Sequence, residues 1–203
     1  SETDMKVVGL AKRNGAIAAY YLGSKQRKAK KVDEAIASYQ QGIDYNPTFY
    51  ANFIGLAQAL DAKGSKVEAV SAYLNAAEVC AQSDKTKDKV DSMETKATNI
   101  VIRLFLDKKV DDSLKAAEAF LGKKESADVY CYQAKGLNAK GKPTEALVAA
   151  DKAVALLESG GNADLCHFTK GEIHEALGQK AEAISAYKNA GGKYAESAKY
   201  KMS

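Results

Sequence analysis

Ala35-Ile36-Ala37-Ser38-Tyr39-Gln40-Gln41-Gly42 decides the fold. An alanine, a tyrosine four residues on and a glycine three beyond it put small, large and small side chains on one helix face. The pattern returns as Ala69-Tyr73-Ala76, Ala146-Ala150-Ala153 and Ala183-Tyr187-Ala190, with a weaker copy at Ser113-Ala117-Phe120. In chain order the steps between copies are 34, 44, 33 and 37 residues. A period near ~34 marks stacked helical hairpins, each too small to bury its apolar face without its neighbours. The chain is therefore expected to be all-α and elongated, and to act through a surface rather than an active site.

Composition agrees. Apolar residues make up 46% of the chain, and there are two prolines, Pro47 and Pro143. The dominant alanine and lysine, with leucine and glutamate, are strong helix formers. The net charge of +4 is unevenly spread, because residues 1 to 31 carry eight Lys/Arg against two Asp/Glu and the remainder sums to −2. Three widely spaced cysteines, Cys80, Cys131 and Cys166, make no disulfide framework and read as buried small hydrophobes. The run Ile100 to Leu106 is broken by Arg103, and nothing approaches the ~20 apolar residues that span a bilayer. The chain starts at Ser1 without an initiator methionine, which fits a leader removed or trimmed.

Along the chain, Ala19 and Leu22 face one way on a first helix, and Ala35, Tyr39, Gly42 and Ile43 form the stripe of a second. Asn46-Pro47 ends that helix, since a residue before proline is pushed out of the α region. Small residues let the helices approach, and Tyr39 fills the gap beside them. Gly64, Gly141 and Gly178 mark later hairpin turns, while Lys108-Lys109 takes the place of glycine in the third. The reading divides the chain into a cap helix at 1–15, closed by Asn14-Gly15, and hairpins at 16–49, 50–83, 94–126, 127–160 and 164–197. A second cap covers 194–203. The insertion at 84–93 is either a surface loop or an outward extension of the next helix, and a charged loop is favoured. Glu158 to Asn162 is read as a loop.

These residues resemble the tetratricopeptide repeat family. The first hairpin matches its motif with Leu22-Gly23, Ala35, Tyr39, Gly42 and Pro47, and the last with Gly171, Gly178, Ala183, Tyr187 and Ala190. Ser113 departs from the usual alanine, and tryptophan is absent. The resemblance implies a right-handed superhelical solenoid of about five hairpins between N- and C-terminal caps. It also implies a concave groove, lined by first helices, that holds a peptide or partner helix. Transferred spacing puts Tyr20, Ser24 and Arg27 there, then Ile54, Gln58 and Asp61, Thr98 and Ile102, Cys131, Lys135 and Asn138, and Phe168, Glu172 and Glu175. The carboxylate clamp of one branch of the family is rejected, because its positions read Tyr20, Ser24, Gly55, Thr95 and Asn99, of which Asn99 alone fits.

Other chemistry finds little support. Cys131, Cys166, His167 and His174 lack the paired spacing of a zinc site, and the two histidines read as packed helix residues. Glu172, His174 and Glu175 have no accompanying nucleophile. Gly160-Gly161 and Gly191-Gly192 follow helices, not strands, so no nucleotide cradle is expected. Lys25 to Lys31 is a basic run that reads as a solvated face, or as a dock for an acidic peptide, lipid head group or phosphate backbone. The expected function is a noncatalytic, cofactor-free protein-interaction scaffold. Its contacts combine apolar Tyr20, Ile54 and Phe168 with polar Gln58, Asn99, Lys135 and Asn138. Self-association through imperfect caps is the alternative, followed by an RNA-binding helical repeat. The Lys/Tyr/Ala-rich modules resemble exported bacterial proteins of the cell envelope, with the cytoplasm as the other option.

Overall fold

The computed structural model describes residues 2–157 and 162–202. Among them are eleven α-helices and no strand. The chain forms two compact units, Ser1–Ala97 and Thr98–Ser203. The first contains α1 (Glu2–Lys28), α2 (Val32–Tyr45), α3 (Tyr50–Lys63), α4 (Lys66–Ala81) and the start of α5 (Val90–Leu106). The rest of α5 belongs to the second, with α6 (Val110–Leu121), α7 (Ala127–Ala139), α8 (Pro143–Ala155), α9 (Ala163–Ala176), α10 (Lys180–Lys188) and α11 (Ala195–Met202).

One turn is used five times. Lys30, Gly64, Lys108, Gly141 and Gly178 all have positive φ, and their separations are those of the alanine–tyrosine signature. At each, the next residue donates its N–H to a carbonyl five positions back: Lys31 to Gln26, Ser65 to Leu60, Lys109 to Leu104, Lys142 to Leu137 and Gln179 to His174, at 2.9 to 3.0 Å. This bond caps the orphan carbonyls of the first helix and reverses the chain into the second. The closure requires a left-handed residue. Lysine adopts it twice, although a Cβ there costs about 1–2 kcal/mol.

The signature residues are the core. Ala35, Tyr39, Ala69, Ala76, Ala117, Phe120, Ala146, Ala150, Ala153, Ala183 and Tyr187 are all buried. Tyr39 lies over bare backbone: a Cβ on Gly23 would stand 2.9 Å from its ring, and one on Gly55 would collide with it. Tyr187 covers Gly171 in the same way. In α6 the large side chain moves to Phe120 and Ala117 is small. Ser113 earns its place by donating its buried hydroxyl to the Val101 carbonyl of α5 at 2.9 Å. In α8 all three positions are alanine, and the volume comes from Tyr130, Leu165 and Ile173 of α7 and α9.

Three boundaries differ from expectation. No cap helix ends at Asn14-Gly15, because α1 runs unbroken from Glu2 to Lys28. Gly15 is helical and bare because the Tyr45 ring packs on it, 3.1 Å from where a Cβ would sit. The 84–93 insertion is shorter: turns at 84–86 and a 3-10 turn at Lys87–Lys89 lead into α5 at Val90, and Met93 is buried. The second cap is α11, preceded by a 3-10 turn at Gly192–Tyr194. Asn46 is extended, with φ −148°, and ends α2 before Pro47. The loop expected at Glu158–Asn162 lies outside the described residues except for Asn162, which caps α9 by accepting from the Leu165 N–H.

The second residue of α7 and of α9 is aspartate, and each pins the helix start that follows. Asp128 accepts from the Asn162 N–H at 2.8 Å, and Asp164 from the Gly191 N–H at 2.9 Å.

Gly171→Ala should cost about 1–3 kcal/mol through overpacking against Tyr187, read as a lower melting temperature. Gly9→Ala meets nothing within 4 Å and should be neutral or stabilising. Lys108→Gly relieves the left-handed lysine and should raise the melting temperature by about 1–4 °C.

Candidate functional site

In the second unit, α5, α7, α9 and α11 enclose an open cleft of about 540 Å³, lined by Phe105, Lys135, Asn138, Thr169, Glu172, Glu175 and Lys201, among others. Lys135 Nζ stands 4.0 Å from Glu172 Oε2 and 5.7 Å from the Phe105 ring centroid. Phe105 is itself held edge-on against Tyr132, with centroids 5.7 Å apart. At the other end Lys201 donates to Glu175 at 2.6 Å, and Glu175 holds the Lys201 ammonium pKa above its ordinary value. Two cations and two anions balance the cleft, leaving the Asn138 amide as a neutral donor and acceptor.

The register explains which residues meet. Counting back three from each left-handed turn residue gives Arg27, Asp61, Phe105, Asn138 and Glu175. Six back gives Ser24, Gln58, Ile102, Lys135 and Glu172. Lys135, Asn138 and Glu172 line the one cleft together. Phe105 follows the same count, one turn beyond Ile102, and the sequence reading stopped short of it. Lys201 lies outside the register, on the last helix, and carried no sequence signal.

Other expected contacts are corrected. Phe168 is only 9% exposed, packed between Tyr187 at 5.3 Å and Tyr194 at 5.2 Å, and belongs to the core. Cys131 is likewise buried, donating its S–H to Thr169 Oγ1 at 3.8 Å. Asn99 is exposed on α5 and does not line the cleft. In the first unit, Tyr20 is half-buried, edge-on to Phe49 with centroids 6.0 Å apart. Ser24 bonds Tyr39 Oη at 3.1 Å, and Asp61 is bridged to Lys66 at 2.6 Å. These three are engaged in holding the hairpins. Ile54, Gln58 and Arg27 are half-buried, and Arg27 Nε is enclosed without a hydrogen-bond partner.

The three thiols and His174 are buried. Hydrogen bonding with Cys131 and burial hold the Cys166 thiol far above its ordinary pKa, and burial raises that of Cys80. Among the described residues no three His, Cys, Asp or Glu groups come together as a metal set. His174 is buried, 2.7 Å from Gln179 Oε1. No described helix is long and apolar enough to cross a membrane.

The helix pair α9–α10 carries a family match. Residues 166–190 match the tetratricopeptide repeat. The match spans the paired Gly171 and Tyr187, the turn at Gly178, and Ala183. No curated protein sequence matches the chain. Among solved structures the chain is similar to a MamA protein, at 17% identity over 93% of this chain and 97% of that one, with a TM-score of 0.48. It is similar to YrrB, described as a tetratricopeptide protein with an unusual peptide-binding site, at 12% identity over 86% and 84%, TM-score 0.45. It is also similar to pilF of Pseudomonas aeruginosa, at 16% identity over 92% and 81%, TM-score 0.45. A tetratricopeptide match over α9–α10 suggests a protein–protein interaction scaffold.

His167 lines a second cavity, of about 420 Å³, with Lys170, His174 and Glu182. Burial and then Lys170 lower its pKa from the ordinary 6.5. The unfolded chain therefore takes up this proton first as pH falls. The stability held by neutral His167 is complete above pH 6.5 and declines below it. Thermal melts across that range should show the loss, and His167→Gln should flatten it.

Proposed function

We propose that the chain is a noncatalytic scaffold that holds an extended peptide or partner helix in the second-unit cleft. The carrying observation is that Lys135, Asn138 and Glu172, on two helices and at matching register, line one open cavity with the Phe105 ring. Opposed charges on a half-buried apolar wall suit a mixed-sequence segment, because they cancel and leave short-range contacts to select it. The Asn138 amide supplies both a donor and an acceptor, the pair a peptide backbone offers. Arg27, Ile54 and Gln58, half-buried in the first unit, are further candidate contacts of that unit by itself.

Peptides selected from a display library on the intact chain test this reading. Lys135→Ala with Asn138→Ala should weaken the selected peptides about tenfold or more while the melting temperature moves only a few degrees. A photo-crosslinking residue at position 138 should capture them, and one at exposed Val148 should not. Unchanged affinity in the double variant would remove the cleft from the function.

A further inference from the structure

Two of the three cysteines meet in the core of the second unit. Cys131 on α7 and Cys166 on α9 are free thiols, buried in one cluster with the small residues Ala134, Ala149 and Ala150. Their contacts cross a single seam. The Cys131 S–H donates to Thr169 Oγ1 at 3.8 Å, and Thr169 is one helical turn on from Cys166. The Cys166 S–H is 4.0 Å from the Ala127 carbonyl, one turn before Cys131. Each sulfur lies beside the opposite helix, within a turn of the other cysteine, and Cys166 hydrogen-bonds with Cys131 itself.

A thiol is a weak donor, so these contacts hold the two sulfurs lightly. A disulfide brings its sulfurs to about 2.0 Å, and the pair closes when each leaves its oxygen acceptor and turns to the other. Burial slows the first step, because the thiolate is the reacting form and the interior disfavours it. Oxidation therefore waits on a local opening of the hairpins that admits the oxidant. A thiolate then attacks a hydroperoxide oxygen, the O–O bond breaks, and a sulfenic acid forms as water or an alcohol leaves. The second thiol attacks the sulfenic sulfur, forming the S–S bond and expelling water. Two thiols lose two electrons in all, and the hydroperoxide gains them.

The same two helices wall the second-unit cleft. Lys135 and Asn138 follow Cys131 by one and two turns on α7, and Thr169 and Glu172 follow Cys166 by one and two turns on α9. Thr169, which accepts from the Cys131 thiol, itself lines the cleft. We propose that Cys131 and Cys166 form a reversible disulfide under hydroperoxide, which staples α7 to α9 and narrows the second-unit cleft. The effect on binding rests on the proposed function of that cleft, whereas the staple does not.

The test uses the full chain, reduced, freed of reductant and treated with hydrogen peroxide, with remaining thiols alkylated in denaturant. The mass should show loss of two hydrogens and a single alkylated thiol. Peptide mapping should join Cys131 to Cys166 and find the label on Cys80 of the first unit. Dithiothreitol should restore three labelled thiols. The bridge should raise the melting temperature by about 5 °C or more, because it closes a loop that contains all of α8. Cys131→Ala and Cys166→Ala, each shown to be folded by circular dichroism, should each abolish both changes. In urea, where the fold no longer holds the thiols in place, pairings with Cys80 should appear. The staple is overturned if all three thiols stay labelled after oxidation, if sulfinic acids form without a bridge, or if the folded chain pairs Cys80 or links to a second chain. Peptides selected from the display library on the reduced chain should bind the oxidised chain about threefold or more weakly. Equal affinity for both forms overturns the narrowing while the staple stands. Selected peptides that ignore Lys135→Ala with Asn138→Ala remove the cleft reading instead.

Discussion

A tyrosine ring laid on bare glycine backbone is the contact on which the first and last hairpins depend. Tyr39 touches Gly23 of its own hairpin and Gly55 of the next, so one side chain sets both the spacing within a hairpin and the docking of the following one. Tyr187 on Gly171 closes the last hairpin in the same manner. The ring supplies apolar area and shape, and the missing Cβ supplies the room. Where the large side chain shifts, as at Phe120, or disappears, as in α8, neighbouring helices change size to keep the interior filled.

That constraint also organises function. Residues that meet the ring and its glycines are committed to the core, so a binding surface is left to positions three and six before the turn. Lys135, Asn138 and Glu172 occupy those positions, and the cleft follows from them. The same division explains why Phe168 and Cys131 do not serve as contacts. They sit ten residues before the turn, close enough to the neighbouring hairpin to be covered by it.

By itself, the sequence determined the all-α class, the hairpin period, the turn positions and the core stripe. These follow from local rules: helical periodicity, glycine at left-handed turns, and small residues opposite large ones. Lys30 and Lys108 were readable as turn residues only through that period, since nothing intrinsic to lysine favours positive φ. Tertiary structure alone decided the continuity of α1 through Asn14-Gly15, where packing of Tyr45 on the glycine outweighs the local signal for a break. It also decided that Phe168 is sealed and that Lys201 reaches Glu175 from a distant helix, because burial and long-range ion pairs depend on which elements become neighbours in space.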